Sequence, residues 1–209
     1  MSVLLDVIGS VLIGGMLLVM IFTFTTQLSE TTQRAIYTST MIDYMDQAGT
    51  KINALVALAG IGIDEDEVVV TADSTRLVFK TMWSYDNDVL TNAEHTIDLS
   101  VETGMSDLGN VITIKQDGAL LSNPAYVSYI DTYIDSLKVK YYGYILYVES
   151  MKFEYFDEDD NLTDEEEDIR SAGIELTFKR DAVGLVSRPL RTSLYIRCFF
   201  MNSYMRMGV

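Results

Sequence analysis

The sequence predicts an α+β fold: a long N-terminal helix whose apolar first half protrudes and whose second half packs on an antiparallel β-sheet domain. Three observations predict it. Residues 7–29 run for 23 positions without a formal charge. Beyond them Leu28, Ile36, Met41, Met45, Ile52, Leu55 and Val56 recur at steps of three and four or their multiples, the spacing of one helix face. From Asp64 onward the apolar period falls to two, the spacing of half-buried strands.

Composition narrows the function classes first. The chain has 209 residues and a net charge of -16, from 15 basic and 31 acidic side chains. That balance argues against nucleic acid as the main partner, because counterion release needs clustered Lys and Arg. Hydrophobic residues make up 48% of so acidic a chain, which fits only if the apolar and charged residues are segregated along it. The one cysteine, Cys198, excludes an intrachain disulfide and a Cys-based zinc site. His95, the one histidine, excludes multi-histidine metal and catalytic sets and reads as a solvent-facing strand residue or a satisfied polar one.

The helix comes first in the chain. Pro124 and Pro189 are the only prolines, so nothing breaks a helix from about residue 3 to about residue 58. Such a helix is roughly 80 Å long at 1.5 Å per residue. Gly60-Ile61-Gly62 ends it. Polar Glu30, Gln33, Arg34, Asp43, Asp46 and Lys51 mostly fill the faces that the apolar residues of the second half leave. The chain therefore divides into an apolar transmembrane or assembly helix, residues 1–28, an amphipathic stem of the same helix, residues 29–60, and a β-rich head, residues 61–209.

A rod that is apolar on every face has two homes: a bilayer, or a bundle of identical rods. A secretory signal peptide is the competing reading, but residues 1–5 contain no Lys or Arg and no clean small-residue cleavage site follows. The expected assembly residues are Asp6, Gly9, Gly14, Gly15, Leu18 and Phe22. The glycines let helix backbones approach closely, or are the ordinary glycines of a membrane helix. A carboxylate in an apolar setting needs a partner. Asp6 therefore pairs with the N-terminal amine of a neighbouring copy, or sits at the lipid headgroup level.

Strands follow at residues 68–71, 76–83, 95–101, 111–114, 138–148, 151–156, 174–179 and 190–200. Asp73-Ser74, Asp86-Asn87-Asp88 and Gln116-Asp117-Gly118 are turns. Residues 124–137 read as a short helix, with Val127, Ile130, Ile134 and Leu137 on one face. In the expected core Met45, Ile52 and Val56 face Leu77, Phe79, Phe153, Phe178 and Tyr195.

Those residues carry a family resemblance. Met45-Asp46-Gln47-Ala48-Gly49 resembles the stem segment of J-type minor pseudopilins and W-type minor pilins, in the type IV pilin superfamily. Asp73-Ser74-Thr75-Arg76-Leu77-Val78-Phe79 is similar to their first strand. The run from Val148 to Asp157, then Ile174-Glu175-Leu176-Thr177-Phe178 and Leu194-Tyr195-Ile196-Arg197, looks like their C-terminal half. The resemblance implies a subunit that waits in the inner membrane and is then assembled by pilus or secretion machinery into a cell-surface filament. Its apolar helices form the filament core, and no active site is involved. It also implies a basic leader and a glutamate at the fifth mature position. No leader is seen here, and Asp6 stands sixth, or fifth if Met1 is removed. The alternatives are a minor tip pseudopilin and a monomeric, single-pass membrane-anchored binding protein.

Residues 157–168 hold nine acidic side chains and no base, so they form a solvated hairpin loop or a calcium site. Asp157, Asp159, Asn161, Thr163, Glu165 and Asp168 fall at EF-hand ligand positions, although Leu162 replaces the turn glycine and strands flank the loop. Asn161-Leu162-Thr163 is the single glycosylation sequon. Tyr126, Tyr129, Tyr133, Tyr141, Tyr142, Tyr144 and Tyr147 suit an interface or a core. The tail, residues 195–207, reads as the end of a sheet followed by a subunit contact.

Overall fold

The computed structural model describes residues 2–106, 109–121, 123, 125–126, 128–134, 137–180 and 189–200. It is α+β: one helix, α1 (Ser2–Ala57), precedes two β-sheets. The chain divides into two compact units, residues 1–42 with 180–190, and residues 43–179 with 191–209. The division falls inside the stretch read as the amphipathic stem, so the last turns of α1 belong to the same unit as the sheets.

The larger sheet contains β1 (Val69–Asp73), β2 (Arg76–Ser84), β3 (Val89–Ser106), β4 (Gly109–Gln116), β5 (Ala119–Leu120), β6 (Ser128–Ile134) and β7 (Leu137–Val148). Its order is β1-β2-β3-β4-β7-β6, with β5 pairing β4. The pairs β1–β2, β2–β3, β3–β4, β4–β7 and β6–β7 are all antiparallel, the arrangement that short hairpin connections favour. The smaller sheet orders β10 (Leu190–Phe199), β9 (Ser171–Arg180) and β8 (Ser150–Phe156). Asp117 (φ 51) and Gly118 (φ 82) make the two-residue β4–β5 turn, the left-handed pair that an Asp-Gly step supplies.

The expected helix over residues 124–137 is corrected to a strand. Residues 128–134 form β6, which pairs along β7 from Ser128↔Tyr144 to Ile134↔Leu137. The 3-4 spacing of Val127, Ile130, Ile134 and Leu137 suggested a helix. The β-branched and aromatic residues Tyr129, Ile130, Thr132, Tyr133 and Ile134 favour a pleated strand, and β7 offers one to pair with. Pro124 and Val127 lie outside the described residues, as do the side chains of Tyr129, Tyr133, Tyr141, Tyr142, Tyr144 and Tyr147. β3 is also longer than expected, because residues 89–94 extend it beyond the turn at Asp88 (φ 55).

The end of α1 is sewn into the core. Ala48, Ile52, Leu55, Val56 and Ala59 are fully buried, as are Leu77, Phe79, Ile97, Leu99, Ile112 and Ile114 of the larger sheet. Main-chain carbonyls at a helix C-terminus lack partners within the helix. Here Tyr85 donates its hydroxyl to the Leu55 carbonyl at 2.6 Å, and Thr81 donates its own to the Leu58 carbonyl at 2.8 Å. Gly60 (φ +75) donates its N–H to the Lys80 carbonyl at 2.9 Å, and Met82 donates to Ile61 at 2.8 Å. A Cβ on Gly60 would lie 2.7 Å from a Val68 methyl, so glycine is required there for both its conformation and its size.

The smaller sheet meets the same helix through β10. A Cβ on Gly49 would lie 3.3 Å from Leu194 and 3.5 Å from Ile196. The expected inward position of Tyr195 is thus off by one residue. Successive strand side chains point to opposite faces, so Leu194 and Ile196 face α1 and Tyr195 is 52% exposed. The two sheets are joined at Tyr155, whose hydroxyl lies 2.8 Å from the Asp73 carbonyl and 3.1 Å from that of Arg76. Beside it the Phe153 N–H donates to the Ser74 carbonyl at 2.9 Å.

These phenols set an alkaline limit. Burial pushes the Tyr85 hydroxyl well above its ordinary value of 10.0 and raises that of Tyr155 as well. Tyr126 rises to about 12, through burial first and then through its bond to Asp88. Each folded value lies above the unfolded one, so the stabilisation is complete below pH 10 and is lost as pH climbs through the folded values. The melting temperature should hold steady up to that point and fall steeply above it, together with a late rise in phenolate absorbance. Titration of all 13 tyrosines at their free value, with no loss of melting temperature, would contradict the seam.

Candidate functional site

The candidate site is the surface of α1 in the first unit. Among the described residues, α1 is the one helix long and apolar enough to cross a membrane, with a best 18-residue window of mean hydropathy 2.5, none of it buried. Leu18 is 69% exposed and Phe22 74%. Val7, Ile8, Val11, Leu12, Ile13, Met16, Leu17, Val19, Met20, Ile21 and Phe24 are exposed as well, on every side of the helix. Each such side chain gains about 1.5–3 kcal/mol on leaving water, so this surface has to be covered by something apolar.

The polar groups on this stretch are arranged to tolerate that cover. Thr23 donates its hydroxyl to the Val19 carbonyl at 2.9 Å, Thr25 to Phe22 at 2.9 Å and Thr26 to Phe22 at 2.9 Å. Ser10 donates to Val7 at 2.9 Å. Each hydroxyl is satisfied by its own helix, so burial in lipid or protein leaves none of these donors unanswered. Gly9, Gly14 and Gly15 are open notches, where an added Cβ would meet nothing within 4 Å. Asp6 is exposed and is the only charged side chain before Glu30. The six expected assembly residues therefore share one helical segment, spread over its faces rather than gathered on one.

The expected calcium ligands are not gathered. The Asp157 carboxylate turns back into its own loop, where Oδ1 accepts from the N–H groups of Asp159 at 2.9 Å and Asn161 at 2.8 Å. These bonds, the one from Asn161 foremost, hold its carboxyl below the ordinary value. Thr163 uses its hydroxyl to accept the Glu165 N–H at 3.1 Å, and Asp160 is held by Arg197 at 2.6 Å. Among the described residues, no three His, Cys, Asp or Glu side chains form a metal-sized group. The loop is a closed hairpin, with Phe156 bridged to Leu162 and the Thr163 N–H donating to Tyr155. Asn161 stays exposed at the loop surface, its side-chain amide 3.2 Å from Asp157 Oδ2.

His95 resolves as a satisfied polar residue. Its Nδ1 lies 2.7 Å from Asp117 Oδ2 and its Nε2 lies 3.2 Å from Thr91 Oγ1. That order matches a hydroxyl, imidazole and carboxylate relay, but the carbonyls of Met82 and Ala93, each 2.9 Å from Thr91 Oγ1, compete with His95 for its single proton. The trio therefore ties β3 to the β4–β5 turn on one side and, through Thr91, to Met82 of β2 on the other. Burial pushes the Cys198 thiol up to about 12, far from a reactive thiolate.

Two features escaped the sequence reading. Tyr85, fully buried with its hydroxyl on α1, looks in sequence like one more residue of the Asp86-Asn87-Asp88 turn. Arg34 passed as one of several polar residues between apolar ones, although it is the only base in the first fifty positions. The tail beyond residue 200 lies outside the described residues. The chain matches no protein-family model, no curated protein and no solved structure.

Proposed function

We propose that this chain is a structural subunit of a pilus-like filament, held in a membrane by α1 before assembly and polymerising at the cell surface through the same helix. It works by packing and not by catalysis. The observation that carries this reading is the exposed apolar surface between Val3 and Phe24, continuous in one helix with Ala48, Ile52, Leu55 and Val56, which are buried in the core of the head. A bilayer covers such a surface in the precursor, and copies of the same helix cover it in the polymer. The self-satisfied hydroxyls suit both settings. The resemblance of the 45–49, 73–79 and 148–157 segments to minor pseudopilins and minor pilins points the same way.

Electron microscopy of surface-sheared material, with its protein identified by mass spectrometry, tests the reading. Thin filaments containing this chain are expected, and Asp6→Ala should lower their yield without changing the melting temperature of the head. Confinement of the chain to detergent-extracted membranes, with no filament fraction, overturns the proposal in favour of a single-pass membrane-anchored binding protein.

A further inference from the structure

The helix carries a second surface that the apolar rod does not explain. Thr31, Arg34, Ala35, Thr38, Ser39 and Ile42 recur at steps of three and four and line one shallow concavity on α1, all of them exposed. Small side chains dominate it, so another helix can come close. Thr31 donates its hydroxyl to the Gln27 carbonyl at 2.9 Å and Thr38 donates to Arg34 at 2.9 Å, so covering the face strands neither donor. One charged group remains on it. Arg34 forms no ion pair with another described residue.

An occupant of this face should be an apolar helix bearing one carboxylate at the height of Arg34. The chain itself supplies that helix, since Asp6 is the only charged side chain among residues 1–29. We propose that the first turns of α1 from a second copy lie parallel on this face, with its Asp6 paired to Arg34. The inference rests on the filament reading and adds a register to it. Residues 6 and 34 are 28 positions apart, which sets neighbouring copies about 42 Å apart along the helix axis at 1.5 Å per residue.

That single offset brings further features into line. Val7 comes level with Ala35, Ser10 with Thr38 and Val11 with Ser39, so branched or small groups of one copy meet small groups of the other. Gly14, an open notch, comes level with Ile42, which is 56% exposed and able to fill it. The N-terminal end of the helix, where the dipole is positive, comes level with the carboxylate of Glu30. Pairing Asp6 with Arg34 also removes the main electrostatic obstacle to burying residues 2–14, an isolated carboxylate in an apolar surround.

Charge reversal in the full-length chain tests the pairing. Asp6→Arg and Arg34→Asp should each lower the yield of sheared filaments by roughly tenfold or more, because each leaves like charges facing in a desolvated contact. The double variant restores the opposite-sign pair and should recover most of the yield. In a parallel measurement, filaments of a Val7→Cys, Ala35→Cys variant should give ladders of disulfide-linked chains on oxidation, whereas Val7→Cys with Thr25→Cys should not. Wild-type filaments combined with no recovery in the double variant, or ladders only from the second cysteine pair, overturn the register and leave the filament reading standing. Absence of wild-type filaments overturns both.

Discussion

A chain lacking residues 2–28 is expected to stay in solution without detergent, folded and monomeric. The deletion removes the exposed apolar residues from Val3 to Leu28 and a single charge, Asp6. What it spares is the whole unit from residue 43 onward, including Ala48, Ile52, Leu55 and Val56, which are fully buried in it. An acidic surface then keeps the molecules apart. Size-exclusion chromatography with light scattering, together with a thermal scan, reads both properties. The melting temperature should match that of the detergent-solubilised full chain to within a few degrees. Aggregation of the truncated chain would mean that the head needs the first unit for more than attachment.

Leu55→Ala is expected to destabilise that head by about 2–5 kcal/mol, the range for emptying a large aliphatic site in a packed core. Leu55 is fully buried, and its carbonyl accepts the Tyr85 hydroxyl, so the substitution loosens a seam that also holds a buried hydrogen bond. Tyr85→Phe removes only the hydroxyl and should cost about 1–3 kcal/mol, because the buried Leu55 carbonyl then keeps only the long 3.4 Å bond from the Leu58 N–H. Combining them should cost less than the sum, since both act on one contact. Urea unfolding of the truncated chain measures all three. Equal and fully additive costs would place Tyr85 and Leu55 in separate regions of the core, against the geometry.

The helix and most strands were legible because their signals are local. An uncharged run of 23 residues, the Gly60-Ile61-Gly62 stop and alternating apolar runs such as Leu77-Val78-Phe79 each act within a few residues. β6 was misread because Val127, Ile130, Ile134 and Leu137 satisfy a helical period by coincidence, and the decision belonged to β7, its partner in the sheet. Tyr195 was misplaced for a related reason. Leu194, Tyr195 and Ile196 are all apolar enough to face inward, and only the pairing of β10 fixes which parity does so. At the candidate site, the apolar stretch and Asp6 were read directly. That Arg34 forms no ion pair among the described residues depends on what lies near it in space, and Tyr85 is matched to a carbonyl 30 residues away. Spacing along a chain carries no record of either.

The backbone hydrogen-bond ladder of α1 runs from Ser2 to Ala57 with no proline to interrupt it. In a polymer this makes the helix a tension member. A pull on its apolar end travels along the ladder to the carbonyls of Leu55 and Leu58, where Tyr85 and Thr81 grip it. The same strand of force passes Gly49, where Leu194 and Ile196 close over the helix from the other sheet. Load is thereby shared between two sheets that Tyr155 ties to each other. In such a polymer, a head anchored in this way resists being stripped from its helix under drag.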